Sequence, residues 1–410
     1  MTPPIALTLL NPHADDFVST PVSFKLVGRQ GLGKYKYLID EPIRRGLRIS
    51  ILVDGTLSSL VEQTYFNRLP AWLRHLILRV EIFIWLRQND LTNRADIHWS
   101  IDTIKDRSAL YLFSYKNCVG SFDQRRSTIS SFRHALINLS HYFIRTREKA
   151  ENIDKLPNAC LVTDSDLDQN DYFRKFFTAS LPKIVLPFAV NERFVAKRPL
   201  AQRDAKCAAT GSFHNLRNET PQFYYCDFME LFQTNTYHPL RKMLFEKKDE
   251  LSNWIDCRIS PYREISDNKG PVAKLRRLLG LDMVQAEYFS FNIVDFYNQH
   301  RFAIVGEELS GAPAVGFFEA MSCGNVTLGQ RGSFYDGLGL EPELHYLPHD
   351  GTIAGVLAQL EKANADFERV RRISEAGLTY VAAHCTPASV WDAFERRLKG
   401  IMALPATNRK

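Results

Sequence analysis

The sequence has little of what marks several large classes of protein. Its seven cysteines (Cys118, Cys160, Cys207, Cys226, Cys257, Cys323 and Cys385) are scattered over 410 residues, and no two form a CxxC pair. That spacing argues against a disulfide framework and a cysteine zinc site, and it fits a reducing compartment. No stretch reaches the roughly 20 apolar residues needed to cross a bilayer. The opening MTPPIALTLLNPHADD lacks the basic start and long apolar core of a secretory signal. A cytoplasmic protein is expected. Charge of one sign is scarce too: the net charge is +6. This is too diffuse for a nucleic-acid partner, although it allows anionic substrates or an anionic membrane surface. No internal repeat or low-complexity tract is evident. Hydrophobic residues at 45% and charged residues at 24% are ordinary globular values, and the length suggests two or three domains.

What is present centres on Gly316–Gly324, GFFEAMSCG. It follows the apolar run RFAIVG and the turn-forming LSGAPAVG, so the sequence reads strand, loop, helix. Such a turn aims backbone N–H groups and a helix N-terminus at a phosphate. Glu319, read here in the helix's first turn, can accept hydrogen bonds from hydroxyls. Ser322, Cys323 and Gly324 then stop the helix, and VTLG follows as a strand.

This segment resembles the nucleotide-sugar site of GT-B glycosyltransferases, especially family four, whose pattern is Glu-x7-Glu followed by Ala-Met-x-x-Gly. Glu319 matches the second Glu, which the resemblance implies holds the donor ribose, with Gly316 and Phe317 beside it. The first Glu falls on Gly311, so the pattern is half kept. KIVLPFAVNERF resembles the family's approach to the interdomain hinge. GSFHNLR stands at its Gly-Arg-x4-Lys phosphate clamp, with Gly211 kept, Ser212 at the Arg position and Arg217 at the Lys position. His214 or Arg241 is the available replacement for the lost cation. A cation there would neutralise charge building on the leaving diphosphate.

The N-terminal half reads as αβ units. Ile5–Leu10 and Leu47–Val53 are strands, joined by a Gly28, Gly31, Gly33 loop and a helix that ends at Gly46. The resemblance implies that Gly31 and Gly33 face donor phosphate and acceptor. The same loop, with Asp54 ending the next strand, also fits a Rossmann dehydrogenase, although the full GxGxxG is missing. Ala109–Ser114, Ala135–Leu139, Ala159–Thr163 and Lys183–Pro187 are further strands of a doubly wound sheet. Ligands on such sheets meet the residues after the strands. His141 is there, and in the resembled family a histidine at that place contacts the sugar or acceptor. Asp102 and Asp166 are the candidate bases if the reaction inverts configuration. Asp164-Ser165-Asp166 also spells the DxD of metal-dependent GT-A transferases. Asn67–Asn89, with its arginines and tryptophans, reads either as a buried helix followed by the strand VEIFIWL or as an interfacial segment for an anionic membrane.

Later elements are a helix from Pro239, preceded by a histidine as in CMP-sugar transferases, and a strand over Trp254–Ser260. Helices follow over Val272–Leu279, Phe291–Gln299, Thr352–Ala363 and Trp391–Ile401. The expectation is two Rossmann-like α/β domains facing across a cleft: residues 1–195 for the acceptor, a linker at 196–205, and 206–390 for the nucleotide sugar. A last helix in 391–410 would return to the first domain. The resemblance implies transfer of a sugar from a nucleotide donor to an oligosaccharide or lipid-linked glycan in bacterial surface-polysaccharide synthesis. It implies no cofactor and no metal, with possible peripheral contact to the cytoplasmic face of the inner membrane. The alternatives are a GT-A enzyme using Asp164 and Asp166, or a non-catalytic sugar-nucleotide or membrane-binding protein.

Overall fold

The computed structural model describes residues 7–14, 33–55, 68–113, 115–119, 122–140, 142–178, 180–213, 226–234, 236–261 and 291–403. Gly31, His141, His214, Arg217 and the expected helix over 272–279 lie outside the described residues.

Short β-branched and leucine-rich runs build two all-parallel sheets. The first takes its seven strands from residues 7 to 185, in the order β3-β2-β1-β4-β5-β6-β7. These are β1 Leu7–Leu10, β2 Ile49–Leu52, β3 Ala95–His98, β4 Ala109–Leu112, β5 His134–Asn138, β6 Ala159–Thr163 and β7 Lys183–Val185. β4, β5 and β6 are buried at every position, as expected of strands covered on both faces. The second main sheet runs β10-β8-β12-β13-β14. Its strands are β8 Asp204–Ala209, β10 Ile255–Cys257, β12 His300–Ile304, β13 Val326–Gln330 and β14 Leu347–His349. β9 Ser212–Phe213 and β11 Ser260–Pro261 form a separate parallel pair.

Two helices depart from the sequence reading. Ala71–Gln88 is one continuous helix, so VEIFIWL is helical and not a strand. Apolar residues on both of its faces mask the 3.6-residue period, and the run of β-formers is overridden by the packing of Leu78, Ile82, Trp85 and Leu86 on the first sheet's core. Phe367–His384 is an 18-residue helix absent from the sequence reading.

The segment 196–203 is tied down rather than loose. The Asn298 side chain accepts from the Lys197 N–H (2.6 Å) and donates to the Val195 carbonyl (3.0 Å). The buried Arg203 donates to the Cys323 carbonyl (2.8 Å). The helix Pro387–Ala403 crosses back onto the first sheet, where Val390, Trp391, Phe394, Leu398 and Ile401 join the cluster of Leu9, Ile51 and Tyr111. Both crossings meet where the Val190 N–H donates to the Cys385 carbonyl (2.7 Å).

Phe394 is buried between Tyr111 and Trp391, with ring centroids 6.0 and 5.6 Å away. Phe394→Ala is expected to cost about 3–5 kcal/mol, read from the urea midpoint. A loss below about 1 kcal/mol would show that the last helix is not part of the first sheet's core.

Candidate functional site

In a doubly wound sheet the ligand crevice opens at the carboxyl ends of the strands, where the strand order reverses. In the second sheet that point lies between β8 and β12. Gly211 follows β8 and Gly306 follows β12. A Cβ on Gly211 would lie 3.2 Å from Arg241 Cδ and Nε, and one on Gly306 would lie 3.3 Å from Arg241 Cγ. Bare backbone at both positions lets the Arg241 side chain lie in the crevice. Gly211 also has φ +119, a conformation that suits glycine. Arg241 Nε donates to the Gly306 carbonyl (2.7 Å) and Nη1 to the Ser212 carbonyl (2.9 Å). The side chain is buried. Ser212 stands where the resembled pattern has an arginine, so a guanidinium from the helix Pro239–Glu246 is brought to that loop from 29 residues away.

Beyond β12 come Glu307 and Glu308. Glu307 is buried, accepting from the Gln330 N–H (2.6 Å) and the Tyr335 hydroxyl (2.5 Å). His349 Nδ1 accepts from the Gly351 N–H (3.0 Å). The neutral ring therefore carries its proton on Nε2, which faces Glu307 Oε2 at 3.8 Å. Burial lowers the His349 pKa against the pull of Glu307. Glu308 turns the other way and accepts from the Tyr237 hydroxyl. Burial pushes its pKa up to about 7, with Asp164 adding to the rise and Tyr237, Arg241 and Lys34 opposing it.

The helix carrying Glu319 spans Val315–Ser322 after an extended Ala314. Glu319 thus stands in the second turn, not the first. Gly316 seats the helix against β12, since a Cβ there would lie 3.2 Å from Val305 Cγ1. Phe317 is buried against Tyr335 and Tyr346, so it braces the helix from the core side. Glu319 is half-buried. Its pKa is pushed up to about 7 by burial, against the pull of Arg193 and Lys34.

Lys34 comes from the first sheet's side. It follows Gly33 (φ +57), and its side chain is 11% exposed. The ammonium lies 3.7 Å from the Asp164 carboxylate and 4.5 Å from the Phe188 ring centroid. Asp164 also accepts from the Tyr35 hydroxyl (2.9 Å). Burial, then Asp164, raises the Tyr35 pKa, so the phenol stays protonated. Lys34 is thus electrostatically coupled to carboxyls of both sheets: Asp164 on one side, Glu308 and Glu319 on the other. Lys34, Asp164, Glu308 and Arg193 are the residues the motif reading passed over or cast in another role. Only their distance in sequence hid them.

Other candidates stand apart from this group. Asp102 follows β3, the far edge strand, five strand positions from β6, about 24 Å at sheet spacing. Its side chain is 86% exposed and meets Ser100 and Arg107. Asp166 caps the 3-10 turn Leu167–Gln169 through the Asp168 N–H and packs against Gly337, where a Cβ would come within 2.6 Å of its own. Asp164 and Asp166 therefore have separate partners, unlike a DxD pair. Among the described residues no group of three His, Cys, Asp or Glu side chains is arranged to hold a metal. Asp54 is engaged by Arg125 and by the Asn11 amide, which occupies the carboxylate a dinucleotide ribose would need.

The arrangement of the whole chain is found in solved structures. HepE from Anabaena, in complex with UDP and glucose, superposes with a TM-score of 0.52 at 12% identity, covering 98% of this chain and 100% of that one. HepE in complex with UDP-glucose gives 0.51 at 10% identity, over 97% and 99%. Sucrose-phosphate synthase from Thermosynechococcus elongatus gives 0.50 at 12%, over 96% and 97%. The fold is GT-B, which is not the fold of a GT-A transferase. No family model and no curated protein sequence matches the chain.

The pKa of the Glu319 carboxyl lies above that of an unfolded-chain glutamate. The folded state then holds a proton that the unfolded chain has released, so this contribution to stability is intact below about pH 4.5 and lost as pH rises towards about 7. Glu319→Gln is expected to raise the melting temperature at about pH 8 and leave it unchanged at about pH 4. An equal shift at both pH values would contradict the burial account.

Proposed function

We propose that the chain transfers a glycosyl unit from a nucleotide-activated sugar to a carbohydrate acceptor. The observation that carries this reading is that Lys34, 3.7 Å from Asp164 on the first sheet's side, acts electrostatically on the half-buried Glu319 of the second, while the Arg241 guanidinium fills the second sheet's switch point against Gly211 and Gly306. Glu319 accepts hydrogen bonds from the ribose hydroxyls. Arg241 and Lys34, joined by Arg217 and His214 from the residues that follow Phe213 in the sequence, neutralise the diphosphate. As the anomeric C–O bond breaks, its electron pair leaves on that diphosphate, and fixed cations there stabilise the charge that develops. The acceptor oxygen attacks the anomeric carbon and loses its proton to a base. Asp164, beside Lys34, is better situated for that role than Asp102 or Asp166, and His141 contacts the sugar or acceptor. Glu308 stands in for the carboxylate lost at Gly311.

The UDP and UDP-glucose complexes of HepE support a uridine diphosphate sugar as donor. The resemblance over Lys183–Arg217 and Phe302–Phe394 supports an oligosaccharide or lipid-linked glycan of bacterial surface polysaccharide as acceptor. No metal is required by this chemistry. Work on a lipid-linked acceptor would bring the protein to the cytoplasmic face of a membrane. The rival reading is a sugar-nucleotide binder without activity, motivated by the half-kept motifs.

Thermal-shift measurements with UDP-, GDP-, TDP- and CMP-sugars test this. One nucleotide class should stabilise the protein by about 2.7 kcal/mol at about a hundred times Kd. The gain should vanish in Glu319→Ala and shrink in Arg241→Met and Lys34→Met. Stabilisation by none of them would sink the proposal. Binding without transfer or donor hydrolysis would favour the rival.

A further inference from the structure

Large apolar side chains are rarely left in water along one continuous strip unless something covers them. Eight are exposed among the described residues, and five of them lie on the helix Ala71–Gln88: Trp72, Leu76, Val80, Phe83 and Ile84. Trp72 is 69% exposed and Phe83 53%. Their spacing of three, four and one places all five on one side, opposite the buried Leu78, Ile82 and Trp85. From Trp72 to Ile84 the strip runs about 18 Å along the helix.

Arginines accompany the strip. Arg68, Arg79 and Arg87 are exposed. The Arg79 guanidinium lies 5.6 Å from the Trp99 ring centroid and that of Arg87 lies 5.7 Å from Phe83, and neither makes an ion pair among the described residues. The exposed Asp90 at the helix end is turned to Arg94 (3.5 Å). An apolar strip with cations among and beside it matches a surface that offers acyl chains below and negative charge above. It does not match a second copy of the chain. A two-fold contact would bury this strip on itself and bring the arginines of the two copies together, with the half-buried Glu81 the helix's one carboxylate against them. The helix is not both long and apolar enough to cross the bilayer.

We infer that the outer face of Ala71–Gln88 docks flat on an anionic phospholipid membrane, with Trp72, Leu76, Val80, Phe83 and Ile84 entering the headgroup boundary and Arg79 and Arg87 meeting lipid phosphates. The inference stands apart from glycosyl transfer, because it concerns binding to lipid alone.

Flotation of the full chain with vesicles tests it. Vesicles of phosphatidylcholine with about 30% phosphatidylglycerol should carry the protein up, and phosphatidylcholine alone should not. Binding should fall at high salt. Arg79→Gln with Arg87→Gln should weaken it about 30-fold, and Trp72→Ser with Phe83→Ser should abolish it. These side chains are exposed, so the melting temperature of each variant should stay that of the parent, which separates lost docking from lost folding. Equal recovery with both vesicle types, or full binding by the serine variant, would overturn the inference. So would a concentration-dependent dimer that the serine variant loses, since the strip would then belong to a second copy.

Discussion

The Lys34 ammonium is held almost out of water, and carboxyl groups from both sheets share the work of balancing it. Desolvating an ammonium is costly unless it is paired. Asp164 meets it from the first sheet, at 3.7 Å; Glu308 and Glu319 act on it from the second. Arg241 and Arg193 add positive charge on the second sheet's side. Glu308 and Glu319 are both held near neutral pKa, so the cleft carries less fixed negative charge than its composition implies. That is the condition a pocket must meet to take a diphosphate.

The rest of the architecture keeps these groups opposed. Each sheet delivers the carboxyl ends of its strands to the same gap, and the chain crosses between the lobes at two places joined by the Val190–Cys385 hydrogen bond. On one side the lobes are packed together: Tyr237 lies against Phe143, with centroids 4.3 Å apart, and Gly337 leaves room for Asp166. Relative motion of the lobes is the ordinary expectation for such a pair. Here the paired crossings are where a hinge would concentrate it.

Much of the fold was legible because its strands are short apolar runs ended by turn residues. Ala159–Thr163 appears with the bounds read from sequence, and Gly46 and Gly324 take the left-handed conformations that end their helices. Ala71–Gln88 was misread because two apolar faces erase the period on which such readings rest. The helix Phe367–His384 did carry a signal, with Asp366 capping the Arg369 N–H and Val370, Ile373, Gly377, Tyr380 and Val381 on one face. At the site, Glu319 could be found from its local pattern. Arg241 reaches Gly306 over 65 residues and Tyr35 reaches Asp164 over 129. Such pairings are set by sheet order, which no local spacing reveals.

The central claim is that Glu319 binds the hydroxyls of a donor ribose. The most direct measurement is calorimetric titration with UDP and its 2′,3′-dideoxy analogue, on the parent chain and on Glu319→Ala. The account predicts that at about pH 8, where the Glu319 carboxyl is ionised, the parent loses about 10- to 100-fold in affinity when the hydroxyls are removed, as expected for a charged hydrogen bond. The variant should bind the two ligands alike. If the variant still discriminates between them as strongly as the parent, Glu319 does not hold the ribose and the account is wrong.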